Sequence, residues 1–125
     1  MDKELAGRIL IVDDNKSFAE ITAKLFRMIG YEVVVRYTGA EGYAAARDLQ
    51  PDVILLDLGI PYIDGYEVCR KIRRHFWGKK IHIIALTGYS ADSTKKYTVR
   101  AGFDKHVTKT TSFTDLELAT RQGIP

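Results

Sequence analysis

The chain has 125 residues, 46% of them hydrophobic, and 19 lysines and arginines against 16 aspartates and glutamates give a formal net charge of +3. That length favours one domain around one core, and the apolar content excludes a disordered chain. No apolar stretch is long enough to span a membrane, one cysteine excludes an internal disulfide, and the mild charge without a helix-turn-helix pattern argues against direct nucleic-acid binding.

Ile9 to Val12 is a continuous apolar run, as expected of a strand covered on both faces, and it ends in the adjacent pair Asp13-Asp14. Phe18, Ile21, Leu25 and Met28 recur at helical spacing and predict a helix from about Ser17 to Ile29, closed by Gly30. Glu32 to Val35 reads as a second strand. The alanine-rich stretch Ala40 to Leu49 reads as a second helix, stopped by Pro51. Val53 to Leu56 is a third strand, ending at Asp57. After a loop containing Pro61, Gly65 opens a third helix running to about Phe76. Ile81 to Leu86 is a fourth strand that delivers Thr87, and Ala91 to Ala101 is a weakly amphipathic helix ended by Gly102. A short fifth strand around Val107 delivers Lys109, and Phe113 to about Gln122 forms a last, short helix.

Strands alternating with helices argue for an open parallel sheet with helices on both faces, and right-handed crossovers leave few topologies. In such sheets ligands bind beyond the carboxyl ends of the strands, where strand order reverses. Asp13, Asp14, Asp57, Thr87 and Lys109 all fall at that edge. Taken singly, a strand-ending Asp or Thr is an ordinary loop polar residue. An Asp pair, a third Asp, a Thr and a Lys at the same end of successive strands point to a site. If the first and third strands are adjacent, the three carboxylates crowd together and need a cation. Hard oxygen ligands suit Mg²⁺, with Mn²⁺ as an alternative. Aspartate is a covalent phosphoryl acceptor in known chemistry, and a lysine beside it would neutralise charge on the transferring group.

The segments Ile9-Leu10-Ile11-Val12-Asp13-Asp14-Asn15, Asp52 to Leu58, Pro61 to Val68, Ile83 to Gly88, and Ala101-Gly102-Phe103-Asp104 followed by Lys109 carry a resemblance. In this order and spacing the chain resembles the receiver domain of two-component response regulators, from about Arg8 to Ala119. The resemblance implies an α/β, flavodoxin-like (βα)5 three-layer sandwich with a parallel five-stranded sheet of order 2-1-3-4-5. It implies that Asp57 is the phosphoacceptor, taking a phosphoryl group from a histidine kinase or a histidine phosphotransfer protein. Asp14 would bind Mg²⁺ directly, Asp13 mainly through water, and Asp57 and the Gly59 carbonyl would complete the metal site. Thr87 would sense the phosphate, Lys109 would pair with its charge, and His106 stands at the switch aromatic position, usually Tyr or Phe.

By the same resemblance, phosphorylation would add roughly −1.5 to −2 charges and remodel the face made by the fourth helix, fifth strand and fifth helix. That face would meet a downstream protein target or a second copy as a homodimer. The chain would catalyse only its own phosphorylation and dephosphorylation. Residues 1–125 read as a single receiver domain with no output domain, and the start lacks the basic and apolar regions of a signal peptide, which fits a cytoplasmic location.

The sequence departs from the family where Thr110 replaces the proline that normally follows the lysine, often in a cis peptide. A trans bond is expected at Lys109-Thr110, because a non-proline cis bond costs about 2.5–4 kcal/mol, or else a rearranged loop. Gly59 leaves one side of the acceptor open and Tyr89 could cover the other. A histidine at 106 changes charge near neutral pH, so a pH-sensitive output is expected. Cys69 reads as a core residue, His75 and His82 as ordinary polar residues, and Trp77 as structural at the end away from the acidic site. Arg70, Lys71, Arg73, Arg74, Lys79 and Lys80 read as a solvated basic helix face.

Three other functions weigh against this one. A haloacid dehalogenase-type phosphatase needs an Asp two residues past its nucleophile, where Gly59 stands. A flavodoxin needs a Ser/Thr-rich first loop, where Asp13-Asp14 would repel the flavin phosphate. A phosphorylation-independent docking domain is compatible with the Lys109-Thr110 departure.

Overall fold

The computed structural model describes residues 6–88 and 92–125, side chains 92–94 excepted. It runs β1 (Gly7–Val12), α1 (Lys16–Met28), β2 (Tyr31–Arg36), α2 (Gly39–Leu49), β3 (Val53–Asp57), α3 (Gly65–Arg73), a 3₁₀ turn (Phe76–Gly78), β4 (His82–Thr87), α4 (Asp92–Ala101), β5 (Lys105–Thr108) and α5 (Phe113–Arg121). The strands pair in parallel in the order β2-β1-β3-β4-β5, as the resemblance implies.

The apolar runs are continuous because both sheet faces are covered, and each strand divides its residues between them. Leu10, Val12, Ile54, Leu56, Ile83 and Ala85 face α2, α3 and α4, where they meet Ala45, Ala46, Val68, Ile72 and Ala101. Ile9, Ile11, Val53, Leu55, Ile84 and Leu86 face α1 and α5, against Ala19, Ala23, Phe26, Leu116 and Ala119. The alanines let the helices lie close to the sheet. Among the described residues, four helices start on side-chain caps. Asn15, Thr38, Asp64 and Ser112 accept from the backbone N–H groups of Phe18, Glu41, Glu67 and Asp115.

The third helix ends earlier than expected, at Arg73 rather than near Phe76. The chain then folds back so closely that a Cβ on Gly78 would lie 2.0 Å from the Ile72 carbonyl oxygen. This tight return forms the 3₁₀ turn. It stacks Trp77 on His75, with ring centroids 5.0 Å apart, while the Tyr43 hydroxyl hydrogen-bonds His75 Nε2 at 2.6 Å. Trp77 lies beside Pro51 and Ile81, at the end of the sheet opposite the acidic residues. Cys69 is fully buried in the core, and burial pushes its thiol up to about 12.

Arg73 does not belong to a solvated basic face. Its guanidinium donates to the carbonyls of Gly102 (2.9 Å), Gly78 (2.8 Å) and Ile81 (2.7 Å) and to Asp104 Oδ2 (2.7 Å). Asp104 Oδ2 also accepts from the Ile83 backbone N–H at 2.8 Å. A residue read as surface charge is the tie between α3, the return loop and the start of β5.

Candidate functional site

Each strand ends where its apolar run meets water, and the parallel arrangement puts those ends on one edge. Asp13 follows β1, its backbone N–H donating to the Arg36 carbonyl at 3.1 Å. Asp57 is the last residue of β3 and Thr87 the last of β4. Lys109 follows β5, and its backbone N–H donates to the Thr87 carbonyl at 2.7 Å. Because β1 and β3 are neighbours, the carboxylates of Asp13, Asp14 and Asp57 each offer an oxygen within 4.8 Å of the others. Asp13 is fully buried, Asp57 is 7% exposed and Asp14 faces solvent.

Lys109 reaches this cluster from the far edge. Its Nζ lies 2.7 Å from Asp13 Oδ2 and 3.6 Å from Asp57 Oδ2. The ammonium also sits 4.8 Å from the centre of the Phe18 ring, a cation–π contact. The Asp57 Oδ1 atom accepts from the Gly59 backbone N–H at 3.1 Å, and Asp13 Oδ1 from that of Asn15 at 2.9 Å. Gly65 makes room for the loop between them: a Cβ there would lie 2.4 Å from the Asp57 carbonyl oxygen. Any side chain at 65 would push α3 off the end of β3.

The expected departure at Lys109-Thr110 resolves simply. There is no cis peptide bond among the described residues, and Lys109 nonetheless points at the acidic cluster. The trans expectation holds and the lysine is not displaced. Tyr89 and the expected helix start at Ala91 lie outside the described residues.

Burial and the neighbouring Asp13 charge push the Asp57 carboxyl up to about 6, opposed by the Gly59 N–H and by Lys109. One ammonium does not fully offset three carboxylates, so the donor set suits a divalent cation with hard oxygen ligands. A stability consequence follows. Between pH 3.8 and about 6 the folded protein holds more of Asp57's proton than the unfolded chain does. Stability from this group is present below that window and lost as pH rises through it. Without metal, Asp57→Asn is expected to be more stable than the wild type at pH 7.5 by roughly 1–2 kcal/mol, discounted from the full shift because water reaches the carboxylate. The gap should close near pH 4 in urea denaturation with EDTA present. An asparagine variant no more stable at pH 7.5 would contradict it.

His106 lies on β5, paired with Ala85 of β4, and its buried Nε2 has no hydrogen-bond partner among the described residues. Burial, then the Lys95 charge, hold its imidazole below the usual histidine range. Two contributors were not read from the sequence. Phe18 was placed on an apolar helix stripe, and only the folded structure shows it against the lysine. Asn15 caps α1, and an Asn just ahead of an amphipathic run is the sequence signal that could have found it.

Residues 9–121 match the response regulator receiver domain family. The DNA-binding dual master transcriptional regulator RpaA of Synechocystis sp. is 36% identical over 102 residues, 82% of this chain and 42% of that protein. The chain therefore spans about two fifths of that relative's length. A putative response regulator from Chloroflexus aurantiacus superposes with a TM-score of 0.89 at 30% identity, covering 97% of this chain and 98% of that one. The receiver domain of a Pseudomonas aeruginosa sensor histidine kinase, with a magnesium ion coordinated in its active-site cleft, superposes with a TM-score of 0.85 at 28% identity, covering 93% and 95%.

Sheet order, acidic edge and family match agree: this chain belongs to the response regulator receiver domains of two-component signalling. Its acidic pocket is compatible with a divalent metal. No helix among the described residues is long and apolar enough to cross a membrane.

Proposed function

We propose that the protein is a phosphorylation-controlled signalling module with Asp57 as acceptor. The observation that carries this reading is Lys109 Nζ between Asp13 and Asp57, beside three carboxylates converging within 4.8 Å. A carboxylate oxygen of Asp57 attacks the phosphorus of a phosphohistidine on a histidine kinase or histidine phosphotransfer protein. The P–N bond breaks, its electron pair stays on the imidazole, and an acyl phosphate forms. Lys109 offsets the charge carried by the phosphoryl oxygens, and the Thr87 hydroxyl donates to one of them. Asp14, Asp57 and the Gly59 carbonyl would hold Mg²⁺ or Mn²⁺, with Asp13 contributing mainly through water. When bound, the ion neutralises charge on the phosphoryl group.

Phosphorylation then shifts a population: Thr87 moves toward the phosphate and His106 turns inward. The α4, β5 and α5 face changes its fit for a downstream protein or a second copy. Burial and Lys95 lower the His106 titration, which moves any pH sensitivity of the output toward the acid side. The module turns over no separate substrate, binds no nucleic acid itself and works in the cytoplasm.

Intact mass after incubation with acetyl phosphate tests the reading. One added phosphoryl group is expected, absent without Mg²⁺ and absent in Asp57→Asn. No adduct with any small phosphodonor, under rapid quenching, would instead support a phosphorylation-independent docking domain.

A further inference from the structure

Lys109 sits between two threonines in a turn whose internal hydrogen bonds all involve Thr108. The Thr111 backbone N–H donates to the Thr108 carbonyl at 3.1 Å, so residues 108–111 form a β-turn with Lys109 and Thr110 at its centre. Above that turn the Thr108 hydroxyl lies 3.0 Å from the Thr110 hydroxyl and 3.2 Å from the Thr111 hydroxyl. Thr108 is also the last residue of β5, in register with Thr87. Its side chain therefore joins the turn that aims the lysine to the strand pair that ends at Thr87.

We propose that Thr108 is a positioning residue for Lys109: its hydroxyl, bonded to those of Thr110 and Thr111, holds the all-trans turn that directs the ammonium onto Asp13 and Asp57. The need for such a device follows from the chain itself. Lysine has four rotatable side-chain bonds, so where its ammonium sits depends on where its backbone is pinned. A turn centred on Lys-Thr has neither the fixed φ of proline nor the φ freedom of glycine to select one geometry. Beside the backbone bonds of Lys109 N–H to the Thr87 carbonyl and of Thr111 N–H to the Thr108 carbonyl, local side-chain hydroxyl bonds restrict it further. Thr110 is exposed and Thr108 is half-buried, so Thr108 is the member through which the cluster connects to the sheet.

The inference rests on the reading of the acidic cluster as a metal and phosphoryl site, but it can be tested without phosphoryl transfer. The Lys109 ammonium competes with a divalent cation for Asp13 and Asp57. Removing it with Lys109→Ala should tighten Mn²⁺ binding about fivefold, the size of one charge interaction at this range in a solvated site. If Thr108 aims the lysine, Thr108→Val should tighten Mn²⁺ about twofold, and Thr108→Ser, which keeps the hydroxyl, should match the wild type. In the Lys109→Ala background Thr108→Val should change nothing further, because the interaction it supports is already gone.

Mn²⁺ titrations of the four variants and the wild type, with melting temperatures recorded beside them, make the cycle. Additive effects, no effect of Thr108→Val, or failure of serine to restore wild-type affinity would overturn the positioning role. Phosphoryl uptake is then measured on the wild type separately. A non-additive metal cycle in a wild type that takes up no phosphoryl group would leave the positioning role standing and remove the phosphoacceptor reading. An additive cycle in a protein that is phosphorylated would do the reverse.

Discussion

Lys109→Ala is expected to slow phosphoryl uptake from acetyl phosphate at saturating Mg²⁺ by about 10²-fold, the usual loss when one preorganised donor to a charged transition state is removed. The Nζ atom is already in place, 2.7 Å from Asp13 and 3.6 Å from Asp57, and 4.8 Å from the centre of the Phe18 ring. Little reorganisation is needed when charge moves onto the phosphoryl oxygens, so the full electrostatic benefit is available at the barrier. Lys109→Arg should recover only part of the rate, because a planar guanidinium cannot occupy the same point between two carboxylates. The assay belongs in Mg²⁺ because the alanine variant leaves fully buried Asp13 without its cation. A time course of intact mass reads the rate. Uptake within threefold of the wild type would sink the role assigned to this lysine.

Arg73→Ala is expected to destabilise the fold by about 3 kcal/mol, since several partly buried acceptors lose a charged donor together. Those acceptors are carbonyls on the return loop, on Ile81 before β4 and on Gly102 after α4, together with the Asp104 carboxylate. Gly102 has φ +103°, and a Cβ there would meet the Arg73 side chain at 2.9 Å, so glycine and arginine fit each other at the end of α4. Arg73→Lys should rescue little, because one ammonium cannot span acceptors arranged around a planar fork. Urea denaturation gives the free energy, and amide exchange should accelerate first in α4 and β5. A loss below 1 kcal/mol, or exchange spread evenly over the sheet, would count against the tie.

These two residues mark how much could be read before folding. Lys109 was legible because it follows a short strand segment around Val107, at the same end of its strand as Asp13, Asp57 and Thr87. Alternation of buried strands with amphipathic helices dictates a parallel sheet, and a parallel sheet puts all its strand ends on one edge. Arg73 was not legible, since its neighbours Arg70 and Arg74 make it look like one more charge on an exposed face. Its partners Gly102 and Asp104 are far along the chain, and they converge on it only because α3 and α4 pack side by side.

The amino-acid sequence by itself determined the element order, the fold class and the identity of the acidic, hydroxyl and ammonium groups on one edge. The alternation of elements and the parallel sheet depend on local periodicity and on where apolar runs stop, while the strand order follows from the family resemblance. The tertiary structure decided that Asp13 and Asp57 are buried while Asp14 is not, that Phe18 lies against the Lys109 ammonium, and that this ammonium lands on Asp13 and Asp57. Each is a matter of distances between residues remote in sequence, which the packing of helices on the two sheet faces sets and no local pattern encodes.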